Sequence, residues 1–446
     1  MNRQEETSLV RRIAVIGSGV SGLTAAWVLA RDAEVTLFEA QPRCGGHAHT
    51  HRLPTGRDDL STVAVDSGFI VFNDRTYPTL LKLFDELGVQ SQESDMSMSV
   101  RCDGCGLQYA GARGPLGLFA QPSAVVRLRY LRMLTEVTRF HRLARAELAR
   151  DDDGGGTLGA FLSAARFSPY FTAHFMVPLV AAVWSCPPNV ALDYPLRYLL
   201  RFLDHHGMLT VFGSPIWRTV TGGSAQYVEA ITARLPAVRS GVPVRAVYRT
   251  ASGVVVRDDA DRVDEFDAAV IATHPDQALA LLDQPTRAET EILGALTYSV
   301  NHTVLHTDTS VLPTRHRARA SWNYRLPACD SAPDRVLVSY DLTRLQRLDA
   351  AADRRFLVTL GDGGSVDPDT VHAAMVYEHP QYTPNFVAAQ RRLPELGDHR
   401  IAFAGAYHGW GFHEDGAHSG VVAAQRLHGS WSGPVPPLRR PLGSTV

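Results

Sequence analysis

A chain of 446 residues is long enough for two or three domains around a large core. Its 45% hydrophobic and 20% charged content is that of a globular enzyme, and a net charge of −2 gives no electrostatic basis for binding nucleic acid. No apolar run reaches the ~18 residues of a bilayer span and the polar start fits no secretory leader, so a cytoplasmic protein is expected.

The first predicted element is the apolar run Ile13-Ala14-Val15-Ile16, a buried parallel strand. Gly17-x-Gly19-x-x-Gly22 follows, then a helix rich in Leu23, Ala25, Ala26 and Trp27, then a strand from Glu34 to Glu39. Gly17 makes the tight turn, Gly19 lets a pyrophosphate approach the backbone, and Gly22 lets helix and strand pack closely. The helix N-terminus offers free N–H groups to phosphates, so Gly17, Ser18, Gly19, Val20, Ser21 and Gly22 form the expected phosphate loop. Glu39, about twenty residues past Gly19, and its neighbour Ala40 sit where ribose hydroxyls are bound.

Glu39-x-x-x-Arg43-x-Gly45-Gly46 resembles the ExxxRxGG extension of glutathione-reductase-like FAD proteins, and more narrowly the flavin amine oxidase and phytoene desaturase superfamily. The resemblance implies FAD, bound by an α/β Rossmann-type (glutathione-reductase-like) domain beside a mixed α+β substrate domain. It implies that Arg43, Gly45 and Gly46 pass along the FAD toward the flavin. An arginine can neutralise phosphate, and paired glycines admit a flat ring.

His47, His49 and His51 alternate along a strand, which suggests a metal site. The preferred reading makes His47 a flavin neighbour and the others ordinary polar residues, with no metal. The strand Val63–Asp66 runs into a glycine turn, where the resemblance sets Gly68 and Phe69 beside the flavin ring. A helix is expected over 73–88, then a hairpin over 96–110. Cys102-Asp103-Gly104-Cys105 lies at the hairpin's turn; with no second pair at zinc spacing, two strands meeting at a turn is the preferred reading, ahead of a metal or redox role.

Residues 113–150 read as helical, with Arg127, Arg129, Arg132, Arg139, Arg142 and Arg145 set among apolar side chains. The basic stretch 125–145 is a solvated face or a peripheral contact with an anionic inner membrane. Residues 151–156 form an exposed break, and the aromatic stretch Phe161–Trp184 is a core or a pocket wall. The chain then returns through a strand over 242–247, where the resemblance gives Val244 to the adenine, and a buried strand Asp267–Thr273.

Strands and a helix over 290–390 complete the substrate domain, and Gly361–Asp369 reads as surface. The strand Ile401–Ala406 resembles the family's last FAD-binding strand, but Gly405-Ala406 lacks the usual carboxylate. Gly416 and Ala417 are expected to start the last helix, aimed at the flavin. The block from Tyr407 to Asp415, with Val65 to Asn73, resembles a bacterial branch of FAD proteins often linked with cyclopropane fatty-acid and other lipid modification.

The expected domains are FAD-binding (1–72, 213–288, 396–430), substrate-binding (73–212, 289–395) and a tail (431–446). The expected activity is FAD-dependent oxidoreduction of an apolar substrate, a fatty-acyl or isoprenoid lipid. The alternatives are an amine oxidase, and an accessory flavoprotein of a lipid-modifying methyltransferase. Lys82 is the only lysine, and it lies far in sequence from the flavin-facing lysine of many amine oxidases. His413, Glu414 and His47 are the candidate acid–base residues; His413 and Glu414 are equally readable as supports for the flavin or the last helix.

Overall fold

The structure, a computed structural model, describes residues 10–55, 61–150, 156–210, 213–331, 334–348, 354–361 and 364–432. The expected break at 151–156 (except Gly156), Asp362 of the surface loop and most of the tail lie outside them.

Five parallel strands stand in the order Ala237–Ser240, Glu34–Glu39, Arg12–Ile16, Ala268–Ile271, Ile401–Phe403. Ile13, Val15, Val35 and Leu37 pack toward the first helix, Val20–Leu29, and the last, His413–Arg426. Ala14, Ile16 and Phe38 face the other way, where Phe266 meets Phe38 edge-on at 6.0 Å. Both faces are covered, so these strands read as apolar runs and not as alternating ones.

The strand expected over 242–247 forms at Val244–Arg249, outside the parallel sheet. It opens an antiparallel meander with Val254–Asp258 and Val263–Phe266. The parallel edge is Ala237–Ser240, a short strand that sequence reasoning missed. Gly241, at φ +69°, turns the chain between the two.

A seven-stranded mixed sheet forms the second layer. Its order is Val371–Pro380, Tyr298–His306, Leu357–Leu360, Val338–Asp341, Trp322–Leu326, Met98–Cys102, Gln108–Gly111. The helix expected over 73–88 starts later, at Pro78. Asn73 Oδ1 accepts from the backbone of Arg75 (3.0 Å) and Thr76 (2.8 Å), holding a turn that the proline then ends. Residues 113–150 form short turns before one long helix, Leu128–Leu148. Phe161, Phe167 and Phe171 pack around Phe140, so this part of the aromatic stretch is core.

Asp66 joins three distant segments. Its buried carboxylate accepts from Thr50 Oγ1 (2.5 Å), Ser224 N (3.0 Å) and Gln346 Nε2 (2.9 Å). Burial raises its pKa to about 6 against the pull of those hydrogen bonds. Among the described residues no helix is long and apolar enough to cross a membrane.

Candidate active site

A cavity of about 1000 Å³ opens at the C-terminal ends of the parallel strands and runs to the seven-stranded sheet. Ligands of open α/β sheets lie at this edge. Gly17, at φ +99°, turns off the first strand against Ala272; a Cβ there would stand 2.6 Å from the Ala272 carbonyl oxygen. A Cβ on Gly22 would stand 1.9 Å from Gly17 O, the close helix–strand packing expected of the third glycine. A Cβ built on Gly19 would meet nothing within 4 Å, so its Cβ side faces open space.

Ser18 joins the phosphate loop to both flanking motifs. Its N–H donates to Glu39 Oε2 (2.9 Å), its hydroxyl donates to the same oxygen, and that hydroxyl accepts from Gly45 N (3.0 Å). Glu39 Oε1 takes the N–H of Gln41 (2.8 Å). Gly46, at φ +56°, crosses Gly19: a Cβ would stand 3.1 Å from Gly19 Cα. Arg43 donates to the carbonyls of Gly46 (2.8 Å) and Ala48 (3.4 Å) while lining the cleft. Much of this arginine's donor set therefore holds the glycine segment itself.

Val244 and Ala40 line the cleft near Glu39; His47, Gly68, Phe69, Gly405, Ala406 and His413 line it farther along. Three buried polar atoms on these walls, His47 Nε2, Tyr407 OH and Trp410 Nε1, have no hydrogen-bond partner among the described residues. Orphaned buried polar atoms on residues that line a cleft call for an explanation, which a bound ligand supplies. With the open side of Gly19 and the carboxylate at Glu39, they fit FAD. Gly19 to Ser21 would hold its phosphates, Glu39 its ribose, and Gly46, His47, Phe69 and Ala406 its ring.

Two expectations for the last helix are corrected. It starts at His413, so Gly416 is its fourth residue, with its N–H already bonded to Phe412 O (3.0 Å). Gly416 and Ala417 are buried off the cleft wall; a Cβ on Gly416 would stand 2.6 Å from Val20 Cγ1, so the glycine serves helix packing. Glu414 is not available for acid–base work either. Its two oxygens accept from Thr79 N and Leu80 N, both at 2.9 Å, and cap the helix Pro78–Leu87.

His413 does line the cleft, stacked on Phe69 with ring centroids 3.6 Å apart. Burial holds its pKa down to about 3. His47 stacks on Tyr377 at 4.9 Å, and burial, then His379, His274 and His413, push its pKa well below the usual value. His49 and His51 lie against one another, bonded to Tyr377 (3.1 Å) and Ser67 (2.9 Å).

Sequence reasoning missed the cleft residues His274, Tyr298, Tyr377, Glu378 and His379. His274 Nδ1 meets Glu378 Oε2 at 2.7 Å, and Asn301 donates to His379 Nδ1 at 2.9 Å. The available signal was the position of His274, just past the end of a buried parallel strand. Lys82 lies away from the cleft, over the Trp431 ring at 4.1 Å.

Two outcomes follow from these contacts. Glu414→Ala leaves two buried N–H groups unpaired and is expected to cost ~1–3 kcal/mol of stability, read in thermal melts. The folded variant should reduce its flavin at the normal rate; a stable protein with slowed reduction would return Glu414 to the chemistry. His379 is held down to about 4 by burial and by His274, below the 6.5 of an unfolded imidazole. Between these values the unfolded chain binds more protons, so this group's contribution is full above 6.5 and is lost as pH falls toward 4. From about pH 7.5 to about pH 5, wild type should lose more melting temperature than His379→Leu; equal losses would contradict the assignment.

Comparison with known proteins agrees with this geometry. Residues 20–349 match the model of the flavin containing amine oxidoreductase family. The carotenoid phi-ring synthase of Streptomyces griseus is 27% identical over 275 residues, 58% of this chain and 52% of that protein. The chain thus spans about half the length of that relative. The L-amino acid oxidase of Cerastes cerastes matches over 52 residues only, at 46% identity, 11% of this chain and 10% of that protein. Among solved structures, putrescine oxidase bound to putrescine has a TM-score of 0.65 at 16% identity, covering 94% of this chain and 99% of that one. A CLA-producing fatty acid isomerase from P. acnes has a TM-score of 0.62 at 16% identity, covering 94% and 98%. At such identities these structures share the fold. The family model, spanning most of the chain, carries the conclusion that the chain belongs to the flavin containing amine oxidoreductase family, with FAD as cofactor and oxidoreduction as its class of chemistry.

Proposed function

We propose that the protein oxidises, reduces or isomerises an apolar substrate, a fatty-acyl or isoprenoid chain. The observation that carries this reading is the wall beyond the flavin end. Val183, Trp184, Trp322, Tyr340 and Leu360 line it. Such walls take an alkyl chain and exclude water.

FAD supplies two-electron hydride chemistry. The chain's residues then have three tasks. The apolar wall binds the substrate. Tyr340, whose hydroxyl donates to Ala182 O at 3.3 Å, and Trp322, edge-on to it at 5.3 Å, keep that wall in place. His47 Nε2, neutral and unpartnered, is our choice for the atom that takes or returns the proton.

Amine oxidation is the second reading. It is favoured by one feature, the Glu378 carboxylate on the cleft wall, which can meet an ammonium group. Glu378 is already engaged by His274, and Lys82 is not at the cleft, so the lipid reading is preferred. We also propose contact with an anionic membrane surface. Val125, Val126 and Leu128 are 54%, 74% and 80% exposed, beside Arg127 and Arg129. Apolar tips among arginines suit a headgroup layer.

Two measurements test these readings. In the first, FAD-loaded protein is followed anaerobically in the visible spectrum while monounsaturated or cyclopropane acyl lipids, and separately simple amines, are added. The lipid reading expects either bleaching by the lipids or their conversion to isomers without bleaching. Bleaching by amines alone would contradict it; response to neither would favour the accessory role. In the second, the protein is sedimented with vesicles. Binding to anionic and not to neutral vesicles, lost in Val126→Asp with Leu128→Asp, is expected. Equal sedimentation of wild type and variant would remove the membrane contact.

A further inference from the structure

One group of side chains with metal-ligand chemistry lies outside the cleft. The four residues Cys102, Cys105, His174 and Cys329 each turn a ligand atom to a common point, and all four atoms lie within 4.8 Å of one another. None of the four lines the cleft. The turn expected at Cys102–Cys105 is the preferred of two readings, and the fold bears on the other. The hairpin is there, but its two thiols meet partners from 69 and 227 residues away.

The fold explains how they meet. Cys102 ends the strand Met98–Cys102, and its N–H bonds Leu107 O at 2.9 Å across the turn. The neighbouring strand Trp322–Leu326 runs parallel to it with Leu326 opposite Cys102, which delivers Cys329 just beyond. Gly104 lets that segment close in: a Cβ there would stand 3.0 Å from Ala328 Cα. His174 comes from above, on the π-helical turn Thr172–Met176. Such turns often mark functional sites, because they aim one side chain off the regular helix.

Two of the six distances within the group match the edges of a tetrahedral site, and all six lie within 4.8 Å. Cys102 Sγ and Cys329 Sγ are 3.8 Å apart, and Cys105 Sγ and His174 Nε2 are 3.6 Å apart. A tetrahedral zinc ion with Zn–S of about 2.3 Å and Zn–N of about 2.0–2.1 Å has S···S edges of about 3.8 Å and S···N edges of about 3.6 Å. A disulfide would need its sulfurs at about 2.05 Å. The histidine is also preset. Its Nδ1 faces Tyr170 O at 3.1 Å, so the ring proton belongs there and the Nε2 lone pair points to the sulfurs. Cys102 and His174 are fully buried, as a closed structural site requires.

We propose that Cys102, Cys105, His174 and Cys329 bind one Zn²⁺ in a closed Cys₃His site. The three thiols lose their protons to solvent as three Zn–S bonds form; the imidazole adds its lone pair, and nothing is oxidised or reduced. Three sulfurs and one nitrogen in a tetrahedron select zinc over harder cations. The ion would tie the hairpin, the strand end at Cys329 and the π-helical turn into one unit. That turn leads directly into the helix Val177–Trp184, whose end lines the substrate side of the cleft. The zinc site would therefore brace the wall without touching the reacting atoms.

The test is metal analysis of the full-length protein, purified reduced and without chelator, with FAD content measured in parallel. One zinc per chain is expected. Protein stripped by a strong chelator and given Co²⁺ should take up one equivalent and show the intense visible bands of tetrahedral thiolate cobalt. Cys105→Ser and Cys329→Ser should lose the metal, while Cys44→Ser, whose thiol lies outside the cluster, should keep it. A reduced, folded wild-type protein that holds no zinc and gives no tetrahedral cobalt spectrum would overturn the proposal. So would a Cys102–Cys329 disulfide found by mapping the native protein. Loss of zinc binding in Cys44→Ser as well as in the cluster variants would also overturn it, by showing that no specific set of ligands is involved.

Discussion

The structure depends on one close approach of backbone to backbone. The turn Gly17–Gly19 and the turn Gly45–Gly46 meet so tightly that a single Cβ on Gly46 would press on Gly19 Cα at 3.1 Å. Gly17 and Gly22 are pinned in the same way from below, by the Ala272 carbonyl and by Gly17 itself. Space excludes a side chain at Gly22, space and φ together exclude one at Gly17, and the left-handed φ disfavours one at Gly46. Ser18 then links the two turns to Glu39 through hydrogen bonds alone. The result is a floor of crossed turns that lines the cleft through Gly17, Ser18, Gly19 and Gly46.

Above that floor the chemistry is set by burial. Four histidines, His47, His274, His379 and His413, face the cleft, and three of them are held neutral by loss of solvent. A neutral imidazole accepts or donates a hydrogen bond without carrying charge, and an imidazolium formed there by proton uptake would be costly and short-lived. The carboxylates nearby serve the fold instead. Asp66 clasps three segments, Glu414 caps a helix, and Asp415 accepts from Phe412 N at 2.9 Å.

What was legible in the sequence follows from these causes. The phosphate loop was readable because strand, glycines, helix and acid obey one spacing in a local stretch. The cleft residues Gly68, Phe69 and Ala406 could be placed by resemblance, since each follows a strand end, and Val244 because it opens one. The roles of Glu414 and Gly416 were not readable, because the start of the last helix shifts by three residues and turns one side chain to a helix over 300 residues away. His274, Glu378 and His379 escaped because they come from separate segments that meet only in the folded chain. The same limit hid the sulfur cluster: two of its ligands lie outside the CxxC and carry no spacing signal. The parallel edge strand Ala237–Ser240 was too short and too polar to stand out.

The central claim is that one continuous cleft holds FAD along the crossed glycine turns and presents its ring to an apolar chamber. The most direct measurement is a crystal structure of the flavin-loaded protein. The account predicts the adenine end beside Glu39 and Val244, the phosphates over Gly19, and the ring against His47 and Phe69 with its free side toward Trp322 and Tyr340. Density for the flavin outside this cleft, or a ring whose free side meets Glu39 and Arg245, would contradict it.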